Sequence, residues 1–404
     1  MQLHPFVRAA AAACAVLLAA GCAGGSSAGP TGSTIKIGID LPLSGTDATV
    51  GQSTLNGAVL AVEQANAKGL PGGFKIELDQ LDDTVQGVHN PQQGVTNART
   101  FISDPNVLVM LGPYNSNVGK AEIPVTNAAG LTQISPATTA DSLTLGADAA
   151  ALRRANPVNS FFRTCTTDSR QGSAGATFAQ HLGWKTAYIV DDNETYGLDL
   201  SSVFAADFQK AGGKIIAQDH LAANTQDFKS LLLKIAAAKP EMLYYGGVTS
   251  TGGGLMRQQM FDTGLGSMPF MGGDGIVDLA TVAGKAADGT YFTVAAPNAE
   301  KLPSAQTFVK DYVARFHEPV GPYSANAFVA AQVAIAAILS AAAENKGALP
   351  TRAAVLAKVA ATDMPSAVGR VRFDSAGDIR NPVISLYGFK NGKEAFIKQI
   401  SLPN

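Results

Sequence analysis

Short apolar runs of strand length alternate along this chain with longer stretches of helical periodicity, and that alternation constrains the fold more than any other feature. Ile35, Ile37, Ile39 and Leu41 fall on alternate positions, as in a strand. Leu55, Val59, Val62 and Ala65 share one face of a helix expected over 50–68, which stops at Gly69. Phe74, Ile76 and Leu78 alternate again. A helix over 95–102 leads into Val107-Leu108-Val109-Met110-Leu111, the continuous apolar run of a strand buried on both faces. The rhythm repeats with a helix from Ala121 and a strand over 131–134. A second block has the same grammar: strand 186–190, helix 198–211, strand 214–217, helix 228–238 and strand 242–245. Strand, helix, strand in succession implies right-handed crossovers and a parallel sheet covered on both faces. Two such blocks imply two doubly wound α/β lobes. Ligands of open α/β sheets sit beyond the carboxyl ends of the strands, so a site is expected in the cleft between the lobes.

The bulk numbers exclude several classes. With 404 residues, 46% of them hydrophobic, the chain can bury more than one core. A formal net charge of −2 gives no electrostatic reason to expect nucleic acid as a partner. His89, His181, His220 and His317 show no metal-ligand spacing and read as surface or helix-end residues, so no metal and no cofactor is expected. The apolar stretch 327–343 is dominated by alanine and contains Gln332 and Ser340, which favours a helix of small residues buried in the fold over a bilayer span. An enzyme is the competing class, because doubly wound folds often bind nucleotides. Thr251-Gly252-Gly253-Gly254 could open a phosphate-binding helix, yet no Lys-Ser/Thr follows it. No Gly-x-Gly-x-x-Gly follows the first strand, and no Gly-x-Ser-x-Gly elbow is present. Asp82-Asp83 and Asp191-Asp192 read as solvated loop carboxylates with nothing pairing them as acid and base, and no catalytic residue is assigned.

The first thirty residues carry an address. His4 and Arg8 precede an uncharged run over 9–20 that is too short to span a bilayer. Leu18-Ala19-Ala20-Gly21-Cys22 then leads into a Gly/Ser-rich tract ending at Gly32. The pattern resembles a bacterial lipoprotein signal, with Leu18 one place further from the cysteine than is usual. The resemblance implies that Cys22 becomes the acylated first residue and the tract a flexible tether. The alternative is an ordinary cleaved signal in which Cys22 is incidental. Cys14 would leave with the signal, so only Cys165 remains and the mature fold has no internal disulfide.

The polar residues just after each strand form an ordered series. Pro42-Leu43-Ser44-Gly45 and Gly51-Gln52 follow the first strand, and Gly112-Pro113-Tyr114-Asn115-Ser116-Asn117 follows the buried one. Ser135-Pro136-Ala137-Thr138-Thr139 comes next, and Phe162-Arg163-Thr164 with Asp168-Ser169-Arg170-Gln171-Gly172 opens the second block. Asp191-Asp192-Asn193-Glu194-Thr195-Tyr196-Gly197, Tyr244-Tyr245-Gly246-Gly247 and Met271-Gly272-Gly273-Asp274-Gly275 complete it. In this order and spacing the chain resembles the leucine/isoleucine/valine-type periplasmic-binding proteins, substrate receptors of ABC importers.

The resemblance implies a type I periplasmic-binding-protein fold: two α/β lobes joined by three crossover strands, with the ligand cleft between them. It divides the chain into a signal peptide at 1–21, a lipid-anchored tether at 22–33, a first lobe at 34–158 and 297–375, and a second at 159–296 and 376–404. It places a ligand carboxylate at Ser116, main-chain and hydroxyl contacts at Ala137, Thr138 and Thr139, and an aromatic lid at Tyr196. It places the counter-charge to a ligand ammonium at Asp274, where the family often has glutamate, and an aromatic wall at Tyr323. Tyr114, Tyr196 and Tyr323 would form an apolar wall with polar tips. Val248 stands where amino-acid binders often carry a tyrosine, and Val50 lies near a position that often holds an aromatic. The expected function is a lipid-anchored extracytoplasmic receptor, acting as a monomer, that delivers a small amino acid, branched-chain first, to an ABC permease without catalysis. The membrane is a partner only through the anchor, and nucleic acid is not a partner. Alternatives are a receptor of the same fold for a short amide, a urea-like solute or an aromatic carboxylate, a ligand-sensing lipoprotein, or a nucleotide-using enzyme.

Plainer readings stand beside these roles. Asp274 can be a turn aspartate among glycines. Ser116, Thr138 and Thr139 can cap helices. Tyr244 and Tyr245 end a buried strand and read as core, Arg163 and Asp168 as a structural ion pair, and Cys165 as a buried inert thiol.

Overall fold

The computed structural model describes residues 34–401. The expected signal, tether and Cys22 lie outside the described residues. In the first half of the chain come β1 (Thr34–Leu41), β2 (Lys75–Asp82), a small hairpin of β3 (Thr84–Val85) and β4 (Val88–His89), then β5 (Val107–Leu111), β6 (Thr132–Ser135) and β7 (Phe161–Arg163). Apart from the hairpin they make a five-stranded parallel sheet in the order β2-β1-β5-β6-β7. Every residue of β5 is buried, as the unbroken apolar run required. Phe162-Arg163-Thr164, read above as opening the second block, instead supplies β7, the edge of the first sheet.

The second sheet has seven strands. β8 (Thr186–Asp191), β9 (Lys214–His220), β10 (Met242–Gly246), β11 (Phe270–Gly272) and β12 (Thr290–Val294) run parallel. After a short hairpin of β13 (Asp363–Ser366) and β14 (Gly369–Arg372), the strands β15 (Val383–Lys390) and β16 (Lys393–Ser401) add an antiparallel edge. The order is β16-β15-β12-β11-β10-β8-β9.

The chain passes between the sheets after β7, after β12 and before β15, and these passages touch. Thr166 N–H donates to the Ala295 carbonyl (2.8 Å), Val383 N–H to the Thr166 hydroxyl (3.1 Å), and the Ser385 hydroxyl to the Ala296 carbonyl (2.8 Å). Between the second and third passages the chain returns to the first sheet, where the helix Ser324–Glu344 packs on the helix Ala48–Ala67. A Cβ on Gly57 would lie 2.0 Å from the Ser324 carbonyl oxygen, so glycine is what lets these helices meet so closely. The alanine-rich stretch is this helix, long and apolar enough to cross a membrane but mostly buried inside the fold. Small side chains serve close helix packing here.

Candidate functional site

The loops after β5, β6, β8 and β11 converge on one cavity between the sheets. Tyr114, Ser116, Ala137, Thr139, Tyr196 and Asp274 line it, together with Asn115, Asn117, Asp192, Glu194, Val248 and Gly275. The free space at its centre is about 20 Å³, room for about one water molecule. The two lobes are therefore closed on each other.

The first lobe contributes a cradle of hydroxyls and main chain. Ser116 opens the helix Ser116–Ala128, which starts earlier than its apolar periodicity indicated because its first turn is polar and faces the cleft. The Ser116 hydroxyl accepts from Thr139 and Ala140 N–H, both at 3.3 Å. The Ser135 hydroxyl accepts from Ala137 and Thr138 N–H and donates to the Pro113 carbonyl. Neither Thr138 nor Thr139 caps a helix, and the cap position of Ser116–Ala128 belongs to Asn115. Thr138 does not line the cavity. Its carbonyl accepts from Arg163 and from the Cys165 thiol, and its methyl lies towards Gly119. Arg163 pairs with Asp378, not Asp168, and braces the loop through the Thr138 and Ala140 carbonyls. Cys165 is a buried free thiol, its ionisation pushed far up by burial.

The second lobe contributes Asp274. Its Oδ1 accepts from Gln171 Nε2 and from the Tyr196 hydroxyl (3.1 Å), and its Oδ2 from the Tyr323 hydroxyl (2.9 Å). Gly275 N–H donates in turn to the Tyr196 oxygen at 3.1 Å. A Cβ on Gly273 would lie 2.3 Å from that oxygen, so the flanking glycines admit the ring. Burial raises the Asp274 carboxyl above its ordinary range, and Gln171 and the two tyrosines pull it back. Tyr323 is absent from the cavity lining but stands beside it, its ring edge-on to Tyr114 at 5.6 Å. Tyr244 and Tyr245 are core residues.

Sequence reasoning missed an ionic cluster beside this cavity. His89, read as a surface residue, is fully buried. Its Nδ1 meets Asp47 at 2.8 Å, and its Nε2 meets Glu194 of the other lobe at 2.9 Å. Burial works against the imidazolium, but the two carboxylates outweigh it and lift its pKa to about 10. Asn117 Nδ2 also donates to Glu194, at 2.8 Å. Asp191 and Asp192 are buried, not solvated. Burial, with the Glu194 charge, lifts the Asp192 carboxyl to about 7, and Thr251 and Glu194 N–H hold it. Asp83 is buried as well. The available signal was position: Asp192 and Glu194 directly follow a buried strand, as the recognised residues do. Among the described residues no group of His, Cys, Asp and Glu has the arrangement of a metal site.

Known proteins match this architecture. The family model for periplasmic binding proteins covers residues 34–387. A Leu/Ile/Val-binding protein, BraC3, of Rhizobium johnstonii is 30% identical over 363 residues, spanning 89% of this chain and 92% of the relative. The crystal structure of a leucine-binding protein, LivK, from Thermotoga maritima superposes with a TM-score of 0.78 at 24% identity, covering 91% of this chain and 98% of that one. A solute-binding protein of an ABC transporter from R. palustris, solved with benzoate, gives a TM-score of 0.77 at 22% identity, covering 92% and 98%. This chain therefore belongs to the periplasmic binding protein family, extracytoplasmic receptors built to hold a small solute between two α/β lobes.

Proposed function

We propose that the protein is the receptor of an ABC importer and captures a small α-amino acid in the cleft. The observation that carries this is the opposition of unlike chemistry across the cavity. Hydroxyls of Ser116 and Thr139, with the main chain at Ala137, face the buried carboxylate of Asp274 and the tyrosines that hold it. A zwitterion stripped of water needs both charges answered, because an unanswered buried ion costs several kcal/mol. The hydroxyl side suits a carboxylate without a full positive charge. Asp274 suits an ammonium. The relative from R. johnstonii is named for leucine, isoleucine and valine, which makes these the first ligands to test.

The first lobe would extend through β7, past the boundary at 158 that the sequence suggested, and the two lobes would hinge about the three passages at Thr166, Ala295–Ala296 and Val383–Ser385. Cys22 would carry the lipid that holds the receptor at the membrane, and an ABC permease would receive the ligand from the closed monomer. Thermal unfolding of the purified chain against a panel of amino acids, amine-free acids, amides and sugars tests the reading. A ligand bound only by the folded state adds RT ln(1 + [L]/Kd), about 2.7 kcal/mol at a hundredfold excess. Shifts with amino acids alone support it; a response confined to sugars or amine-free acids sinks it.

A further inference from the structure

Asn115 and Tyr114 line the cavity, and each has a buried oxygen with no hydrogen-bond partner. Asn115 holds the N-cap position of the helix Ser116–Ala128, where an asparagine ordinarily turns its oxygen onto the amides of the next turn. Asn90 does so at its own helix, accepting from Gln92 and Gln93 N–H at 3.0 Å each. Asn115 makes no cap bond, and its Oδ1 is buried without a hydrogen-bond partner. The Tyr114 hydroxyl is buried and unpartnered in the same way. The two residues are only 8% and 7% exposed, and both line the cavity. No lysine or arginine lines it, whereas Asp192, Glu194 and Asp274 do, so the lining holds no cation to answer a ligand's acceptors and several carboxylates to answer its donors.

We infer that the cleft also takes an amino acid with a carboxamide side chain, asparagine being the near-isostere of leucine, and that Asn115 and Tyr114 are the residues that read it. The inference rests on the amino-acid reading of the site and concerns only its side-chain end. A carboxamide brings two N–H donors and one acceptor. It can donate to Asn115 Oδ1 and accept from the Tyr114 hydroxyl. An isobutyl group of the same shape covers both atoms and leaves them dry, at a cost of about five- to a hundredfold in affinity for each. That deficit offsets what the hydrocarbon gains from burial, so the two side chains become comparable ligands.

The test is calorimetric titration of the full chain, purified in mild detergent, with asparagine, glutamine, leucine, isoleucine and valine. The expected result is that asparagine binds at least as tightly as leucine. In Asn115→Leu and in Tyr114→Phe the asparagine-to-leucine affinity ratio should fall about tenfold or more. Asparagine binding more than tenfold weaker than leucine overturns the inference while leaving the amino-acid receptor intact, and so does an unchanged ratio in both variants. Binding of none of the five overturns both.

Discussion

His89→Gln separates what holds the first lobe together from what holds the lobes closed. His89 is fully buried between Asp47 of its own lobe, 5% exposed, and Glu194 of the other. Replacing it strands the Asp47 carboxylate, and an uncompensated buried charge costs about 3–5 kcal/mol. For a body of this size that lowers the unfolding midpoint by about 5 °C. The bond to Glu194 is worth less, because that carboxylate is 32% exposed in its side chain, and about 1 kcal/mol is a fair magnitude. Since it forms only when the lobes meet, its loss should raise the ligand's Kd about fivefold. The double variant Asp47→Asn/His89→Gln decides the matter. With Asp47 no longer a stranded charge, the midpoint should return to within about a degree of wild type. Kd should stay raised, because Glu194 still lacks its partner across the cleft. Differential scanning calorimetry reads the first quantity and isothermal titration the second. If Kd recovers together with the midpoint, the histidine does not latch the lobes. The pH dependence has a definite sign. The imidazolium pKa is raised from 6.5 to about 10 in the folded protein, so its contribution is full below about 6.5 and is lost as pH rises towards about 10. Wild type should therefore lose stability between those limits, and His89→Gln should lose less, keeping only the part that the buried carboxyls contribute.

Asp274→Asn should weaken an amine-bearing ligand about ten- to a hundredfold, the 1.5–3 kcal/mol of a hydrogen bond to a charged group. An amine-free acid of the same shape should change little, and equal losses in parallel titrations would remove the ammonium role. Cys22→Ser should move the protein from the membrane fraction to the soluble extracytoplasmic fraction on fractionation of cells; retention in the membrane would count against the lipid. A third prediction concerns carboxyls buried beneath the first sheet's loops. Asp40, bonded to Asn97 at 2.6 Å, and Glu122, bonded to Gln133 at 2.7 Å, lie together with Asp83, and burial raises all three, Asp40 to about 6. A raised carboxyl binds its proton more tightly in the folded state, so stability falls as pH rises from about 4 through 6 and beyond. Glu122→Gln should lessen that fall in denaturant titrations across this range, and an unaltered slope would refute the assignment.

How much of this was legible in the chain depends on distance. Where a residue's environment is made by its neighbours in sequence, the text sufficed. The run Val107–Leu111 had to be a covered strand because it has no polar face, and the loops after β5, β6, β8 and β11 had to face the cleft because parallel strands end there. Ser116, Ala137, Thr139, Tyr196 and Asp274 lie on or after those loops, were singled out by the family resemblance, and line the cavity. Where the environment comes from the other lobe, local pattern said the opposite. Glu194 looks like a loop carboxylate until His89, 105 residues away in the chain, meets it, and His89 looks like a surface residue for the same reason. Thr138 fails differently. It sits between two cavity residues, but Arg163 draws its carbonyl outward, and the alternation of a loop is not the alternation of a strand. Asn115 is the most instructive case. Its place before a helix has a sufficient local explanation, capping, and only the unmade bond shows that its side chain is free for something else. In a cleft between lobes, the polar groups that neither lobe satisfies are the ones that carry information about the ligand.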